Sequence, residues 1–129
     1  IKLPLLDQWN EARRKHAARY SQLLQEKPLT VPSVPQYAEV VWHLYVVQVE
    51  IRDQVRKKLA EQGIFCGIHY PVPIHLQEAY RSLGHQKGDF PVTEALAEKI
   101  LSLPMYAELA DSQIEAVVGA LTGTLQIEK

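Results

Sequence analysis

Histidine and tyrosine side chains are concentrated in one short stretch, residues 67–75, which reads Gly-Ile-His-Tyr-Pro-Val-Pro-Ile-His. Pro71 and Pro73 fix two φ angles and remove two backbone donors, so neither a regular strand nor a helix continues through them. The stretch follows the apolar run 64–68 and is predicted to be a stiff, extended loop leaving a buried strand, here called the proline loop. Imidazole and phenol groups form hydrogen bonds and also present a flat apolar face, which suits sugar hydroxyls and phosphates. The candidate binding residues are His69, Tyr70 and His75.

Other chemistry at the proline loop is disfavoured by spacing and burial. A metal site built from Cys66, His69 and His75 would span two prolines, and its spacing matches no compact ligand pattern. A nucleophile pair of Cys66 and His69 is disfavoured because an apolar strand predicts a buried, inert thiol. A structural interpretation stays open, in which the histidines and the tyrosine only end the strand and fill the loop. The residue pattern alone indicates an α+β domain that presents a His/Tyr loop.

The whole chain has the composition of an ordinary globular domain. It has 129 residues, of which 47% are hydrophobic and 22% charged, with a formal net charge of −1. That length suits one domain, and the near-neutral charge gives no basic face for nucleic acid or an anionic membrane. The single cysteine excludes an internal disulfide framework and favours a reducing compartment such as the cytoplasm. Because the chain begins at Ile1 without a methionine, we expect it to be an excised part of a longer protein.

Periodicity and breakers predict the elements that position the proline loop. Apolar residues at helical spacing follow Pro4, three prolines mark a connector, and the run of Val, Tyr and Trp before Glu50 predicts a strand. Before the proline loop, the predicted elements are a helix over 4–25, a connector over 28–38, a strand over 40–50, a helix over 52–62 and a strand over 64–68. After it come a short helix over 76–83, a loop over 84–88 and a helix from Pro91 whose apolar stripe includes Ile100 and Leu101. A brief extended pair at 102–103 and a helix over 111–122 complete the order. This order predicts an α+β fold, a small sheet covered by helices.

Five blocks of the sequence, in order, resemble the DegT/DnrJ/StrS family of nucleotide-sugar aminotransferases. The blocks are Leu3-Pro4-Leu5-Leu6-Asp7-x-Trp9-Asn10-x-x-Arg13 with Ala18-Arg19-Tyr20, His43 to Val47, Gly67 to Gln77, Gly88 to Glu94, and Leu101 to Tyr106. The resemblance covers nearly the whole chain. It implies the C-terminal small domain of a fold type I enzyme, with a small, mostly antiparallel sheet preceded by a long helix. On this basis residues 1–129 form a single domain, with 1–27 as the interdomain helix, 28–38 as the connector and 39–129 as the small α+β domain.

The resemblance also implies what the longer protein does. Members of this family use pyridoxal 5′-phosphate (PLP) to transfer an amino group from glutamate to a keto sugar on a nucleoside diphosphate, and they act as homodimers. The Schiff-base lysine, its acid partner and the phosphate-binding serines lie in the preceding large domain, so this stretch alone is not expected to bind PLP or to be active. The implied substrate-binding residues here are His69, Tyr70, Pro71 and His75; no catalytic, cofactor or metal residue is implied.

Two alternatives to an aminotransferase stay open. One is a non-catalytic interaction or substrate-capping module on the same scaffold. The other is a dehydratase of the same family, which uses PLP or its amine form with a histidine in place of the lysine. Residues preceding Ile1 would discriminate among the three.

Overall fold

The computed structural model of the chain describes residues 1–126. Four α-helices and two β-strands form its regular structure, together with three short 3₁₀ helices. In chain order these are a 3₁₀ turn at Leu3–Leu5, α1 (Leu6–Leu24), β1 (Tyr45–Gln48), α2 (Arg52–Glu61), 3₁₀ helices at Ile74–Leu76 and Glu78–Leu83, α3 (Pro91–Lys99), β2 (Ile100–Leu103) and α4 (Asp111–Gln126). No helix within residues 1–126 combines the length and apolarity needed to span a membrane.

The two strands pair antiparallel across more than fifty residues of sequence. Tyr45 lies opposite Leu103 and Gln48 lies opposite Ile100. Single bridges extend this ladder on both sides, one from Thr30 to Gln48 and one from Gly67 to Ser102. The predicted fold class, a small antiparallel sheet with helices and a long N-terminal helix, is confirmed.

The core lies where the helices meet the sheet. Tyr20 of α1 is fully buried and stacks on Tyr45 of β1, with ring centroids 5.0 Å apart. Its O–H donates to the Pro104 carbonyl at 3.0 Å, which satisfies a polar group that would otherwise be costly to bury, and burial raises the pKa of Tyr20 far above its usual range. The other buried apolar members are Ala17, Leu24, Val47, Val49, Val55, Leu59, Cys66, Leu101, Leu103, Leu109, Ile114, Val117, Val118 and Leu121.

The strand predictions were only partly right. Of the predicted strand 40–50, only Tyr45–Gln48 pairs, because β2 offers a partner for four residues. The predicted strand 64–68 is wrong: among these residues only Gly67 makes a bridge. Ile100 and Leu101 were predicted to continue the helix from Pro91, but they begin β2, where Leu101 is fully buried opposite Val47. Pairing with β1 therefore overrides their helical spacing.

The helix predictions differ from the structure mainly at their ends. The predicted helix 4–25 is a 3₁₀ turn followed by α1, and the predicted helix 111–122 continues to Gln126. The predicted short helix 76–83 is instead two 3₁₀ helices, Ile74–Leu76 and Glu78–Leu83. The second ends at Gly84, whose φ of +79° lies in the left-handed region that glycine adopts without a Cβ clash.

Candidate functional site

The proline loop is anchored at its start by the sheet and at its end by a 3₁₀ turn. Gly67 N–H donates to the Ser102 carbonyl at 3.1 Å, and Ser102 N–H donates back to Gly67 at 2.8 Å. At the far end, Leu76 N–H donates to the Pro73 carbonyl at 3.0 Å. The Gln77 side-chain amide also donates to the Val72 carbonyl at 3.2 Å. Between these anchors the two prolines restrict the backbone, so the side chains are presented from a stiff segment.

A surface groove of about 290 Å³ runs between the proline loop and α3, and we call it the loop groove. One wall comes from the loop and the other from α3 and the start of β2. The lining residues are His69, Tyr70, Val72, Pro73, Ile74 and Gln77 on the first wall, and Thr93, Leu96, Ala97 and Ile100 on the second. Below the second wall, the buried Arg52 guanidinium donates from Nη1 to the Ala97 carbonyl at 3.2 Å, which ties α2 to α3.

His69 is held by the sheet through one ring nitrogen. Its Nδ1 lies 2.9 Å from Oγ of Ser102, a β2 residue that is only 4% exposed. No hydrogen bond joins Nε2 to any residue in 1–126, so this nitrogen can meet a ligand as donor or acceptor, according to the tautomer. A Cβ on Gly67 would lie 2.5 Å from Cε1 of the imidazole. Glycine at position 67 therefore allows the ring to lie against the backbone.

Tyr70 projects from the same loop and is 72% exposed. Its ring meets the His69 ring edge-on, with centroids 5.6 Å apart and planes at 78°. The phenol therefore offers an apolar face and a hydroxyl to the loop groove, which it lines. Pro71, also exposed, follows directly and restricts the backbone that carries Tyr70.

His75 lies apart from these two residues. Its side chain is 7% exposed, and Nε2 lies 2.9 Å from Oε1 of Glu94 in α3. The ring packs on Phe90 with centroids 4.7 Å apart, in the wall of a neighbouring pocket of about 330 Å³ that also includes Tyr80 and His85. The structure thus brings His69 and Tyr70 together and directs His75 toward α3.

Ser102 and Glu94 are the residues that sequence reasoning missed. Ser102 follows His69 by 33 residues, and Glu94 follows His75 by 19. No local spacing rule connects positions so far apart. The bridge between Gly67 and Ser102 brings Ser102 to His69, and the packing of α3 brings Glu94 to His75. Both residues lie within the sequence blocks that resemble the family, which is the one signal that pointed to them.

Neither alternative chemistry at the proline loop gains support from the structure. Cys66 is 8% exposed, and burial raises the pKa of its thiol to about 11, although the Arg56 charge acts in the opposite direction. A thiol with that pKa is almost entirely protonated near neutral pH and is a poor nucleophile. Within residues 1–126, no cluster of three or more His, Cys, Asp or Glu side chains has the arrangement of a metal site.

Known proteins are similar to this chain in sequence and in fold. A protein of Geobacillus stearothermophilus named "Pleiotropic regulatory protein" is 41% identical over 121 residues, which are 92% of this chain and 32% of that protein. The "dTDP-3-amino-3,6-dideoxy-alpha-D-galactopyranose transaminase" of Aneurinibacillus thermoaerophilus is 38% identical over 94% of this chain and 33% of its own length. The crystal structure of DesV from S. venezuelae, solved in complex with a ketimine intermediate, superposes with a TM-score of 0.92 at 36% identity, covering 100% of this chain and 34% of DesV.

The chain therefore spans about a third of the length of these relatives. The model of one family, described as the DegT/DnrJ/EryC1/StrS aminotransferase family, matches residues 1–122. This match covers α1 to α3, the first part of α4, both strands, the proline loop and the loop groove, and it confirms the resemblance seen in the sequence. The chain belongs to the DegT/DnrJ/EryC1/StrS aminotransferase family.

Proposed function

We propose that the protein containing this chain is a PLP-dependent aminotransferase that transfers an amino group from glutamate to a keto sugar carried on a nucleoside diphosphate. Residues 1–129 would be its C-terminal small domain, with 1–27 as the interdomain helix, 28–38 as the connector and 39–129 as the α+β unit. The family match and the relative named as a dTDP-aminosugar transaminase support this function.

PLP would be held by the N-terminal domain rather than by this chain. Bound PLP supplies an electron sink, and it needs a lysine for covalent attachment together with an acid partner. No lysine lines the loop groove. The lysines within residues 1–126 are exposed or half-buried, and Lys99, for example, pairs with Glu50 at 2.8 Å. These lysines do not fit a PLP site, so this chain would contribute by binding the keto-sugar nucleotide.

The observation that carries this proposal is that His69 and Tyr70 together line the loop groove. Nε2 of His69 and the phenol of Tyr70 can donate to or accept from sugar hydroxyls and phosphates, and both rings provide a flat apolar surface. Pro71 would hold Tyr70 in place, and His75 would act at the far end of the loop, where it meets Glu94. Because both anchors of the loop are hydrogen-bonded, little ordering entropy would be lost on binding.

Substitution in the full-length protein tests this assignment. With glutamate and dTDP- or UDP-linked keto sugars as substrates, Tyr70→Phe is expected to lower kcat/KM about five- to thirtyfold, the loss of one hydrogen bond of about 1–2 kcal/mol. His69→Ala is expected to lose at least as much. Tyr37→Phe is the matched control, since Tyr37 is 93% exposed in the connector. Unchanged kinetics in both loop variants, with a lowered melting temperature, would make the loop structural.

A homodimer in the cytoplasm is part of the same proposal. Large apolar side chains are exposed along and after the proline loop, including Val72 at 46%, Ile74 at 68%, Leu83 at 64% and Val92 at 73%. Exposed apolar surface of this kind is typical of regions that contact other protein surfaces, here the N-terminal domain and a second subunit. The single, buried cysteine fits a reducing compartment. Sedimentation of the full-length protein tests the dimer.

A second candidate is a non-catalytic module, because one relative is named as a regulatory protein. Full-length protein that binds no PLP and transfers no amino group to any of these keto sugars would favour that function. Consumption of the sugar nucleotide without glutamate would instead favour the dehydratase.

A further inference from the structure

The carboxylate of Glu94, in the first turn of α3, lies within hydrogen-bond distance of three nitrogen atoms. Gly88 N–H lies 2.9 Å from both of its oxygens, and Phe90 N–H lies 3.3 Å from Oε1. Nε2 of His75 lies 2.9 Å from the same Oε1. The Glu94 side chain is 12% exposed, so these donors replace most of its contact with water. The Gly88 amide, followed by His75 and the Phe90 amide, holds the pKa of Glu94 below its usual value.

These contacts connect the far end of the proline loop to α3. His75 is 7% exposed and lies between Glu94 and the Phe90 ring, so its imidazole is held by a hydrogen bond and by packing. Gly88 has a φ of +101°, a conformation that a side chain disfavours, and it directs its N–H at the carboxylate. The Glu94 carboxylate therefore holds the turn before α3, through Gly88 and Phe90, as well as the end of the proline loop, through His75.

The two walls of the loop groove are joined by side-chain hydrogen bonds at two places. At one end, Nδ1 of His69 meets Oγ of Ser102, and at the other, Nε2 of His75 meets Glu94. The segment between the two histidines contains both prolines, and its backbone is therefore stiffer than that of an ordinary loop. Ile74 and Thr93, the direct neighbours of His75 and Glu94, line opposite walls of the groove. The second link thus lies next to both walls of the groove.

We propose that Glu94 is a positioning residue that sets the width of the loop groove through His75 and does not itself touch the substrate. This inference rests on the proposed function, since it concerns binding of the nucleotide sugar in that groove. Loss of the link would release the His75 end of the loop, while Ser102 would continue to hold His69. Binding of the sugar nucleotide would weaken, and the use of glutamate would be unaffected.

The test is Glu94→Gln in the full-length protein, with Glu98→Gln as matched control. Glu98 lies one turn later on the same helix and is exposed. We expect KM for the keto-sugar nucleotide to rise about five- to tenfold in Glu94→Gln, with KM for glutamate unchanged, because a neutral amide replaces one charge-assisted acceptor. Glu94→Asp, which keeps the charge, is expected to recover part of the loss. In His75→Gln, the added Glu94→Gln change should raise the sugar-nucleotide KM little further, although it also alters the acceptor of the Gly88 and Phe90 amides.

Hydrogen exchange of the same variants gives a second readout that does not need activity. Peptides containing the Leu76 and Gln77 amides, which donate to Pro73 and Ile74, should exchange faster in Glu94→Gln and unchanged in Glu98→Gln. The proposal is overturned if the exchange and the sugar-nucleotide KM both stay at wild-type values, or if both KM values rise together. An inactive wild-type protein refutes the proposed function as well. An active wild type impaired by His69→Ala but not by Glu94→Gln refutes this inference alone.

Discussion

The hydrogen bond between His69 and Ser102 leads to the sharpest prediction for the candidate site. Ser102→Ala removes one oxygen from a side chain that is 4% exposed, and it leaves Nδ1 of His69 without its partner 2.9 Å away. A hydrogen bond of this kind contributes about 0.5–1.5 kcal/mol net. Because the His69 residue is exposed, water can replace the serine, and we expect the unfolding free energy to fall by no more than about 1 kcal/mol.

The effect on function should be at least as large as the effect on folding. Without Ser102, the imidazole loses both a fixed orientation and control of its tautomer, so Nε2 no longer points reliably at the substrate. We expect kcat/KM of the full-length enzyme for the sugar nucleotide to fall about fivefold, which corresponds to about 1 kcal/mol. The assay is steady-state kinetics with glutamate in excess, combined with urea unfolding of each variant.

Two comparisons make this prediction refutable. Thr124→Val removes another buried hydroxyl, one that donates to the Ala120 carbonyl at 2.9 Å within α4, and it should leave kcat/KM unchanged. In a His69→Ala background, Ser102→Ala should cause no further loss, because the two residues would act as one unit. If Ser102→Ala keeps wild-type kcat/KM while His69→Ala loses it, the serine does not position the imidazole and the reasoning is wrong.

Two further predictions concern Cys66 and Gly67, where the chain enters the proline loop. Gly67→Ala would place a Cβ 2.5 Å from Cε1 of His69, and the imidazole can rotate away to relieve the clash. We therefore expect kcat/KM to fall about as much as in His69→Ala, with a melting temperature close to that of the wild type. Normal kinetics would contradict this prediction. The pKa of Cys66 is raised from 9.0 to about 11. Its thiol should therefore react with iodoacetamide at pH 8 about a hundredfold more slowly in the native protein than in urea, as measured by mass spectrometry of the peptide that contains it. Equal rates would show an accessible thiolate.

Local sequence signals predicted the pieces of the site better than their arrangement. The stiffness of the loop follows from Pro71 and Pro73 wherever the chain is placed. The start of α3 at Pro91 and the end of α2 before Gly63 could also be predicted from the sequence. Proline is favoured in the first turn of a helix, and glycine is favoured just after the last turn. The assignment of His69, Tyr70, Pro71 and His75 to substrate binding stays a prediction.

The strands depended on partners that no local pattern reveals. Residues 64–66 have the composition of a strand, yet they pair with no strand in the described chain, whereas Gly67 bridges to Ser102. Ile100 and Leu101 fit a helical stripe, yet they form β2 because β1 lies beside them. Backbone ladder bonds and the burial of Leu101 outweigh a helix preference of a few tenths of a kcal/mol per residue, roughly the spread among ordinary residues.

The sequence by itself determined which side chains are available for chemistry, that they lie on a rigid loop, and, through blocks that run the length of the chain, the family. Each of these depends on covalent properties or on order along the chain. Only the tertiary structure decided that His69 is bonded to Ser102 and His75 to Glu94, and hence that one imidazole faces the loop groove while the other is tied to α3. Such contacts join residues 19 and 33 positions apart, and they exist only after the proline loop has packed against β2 and α3.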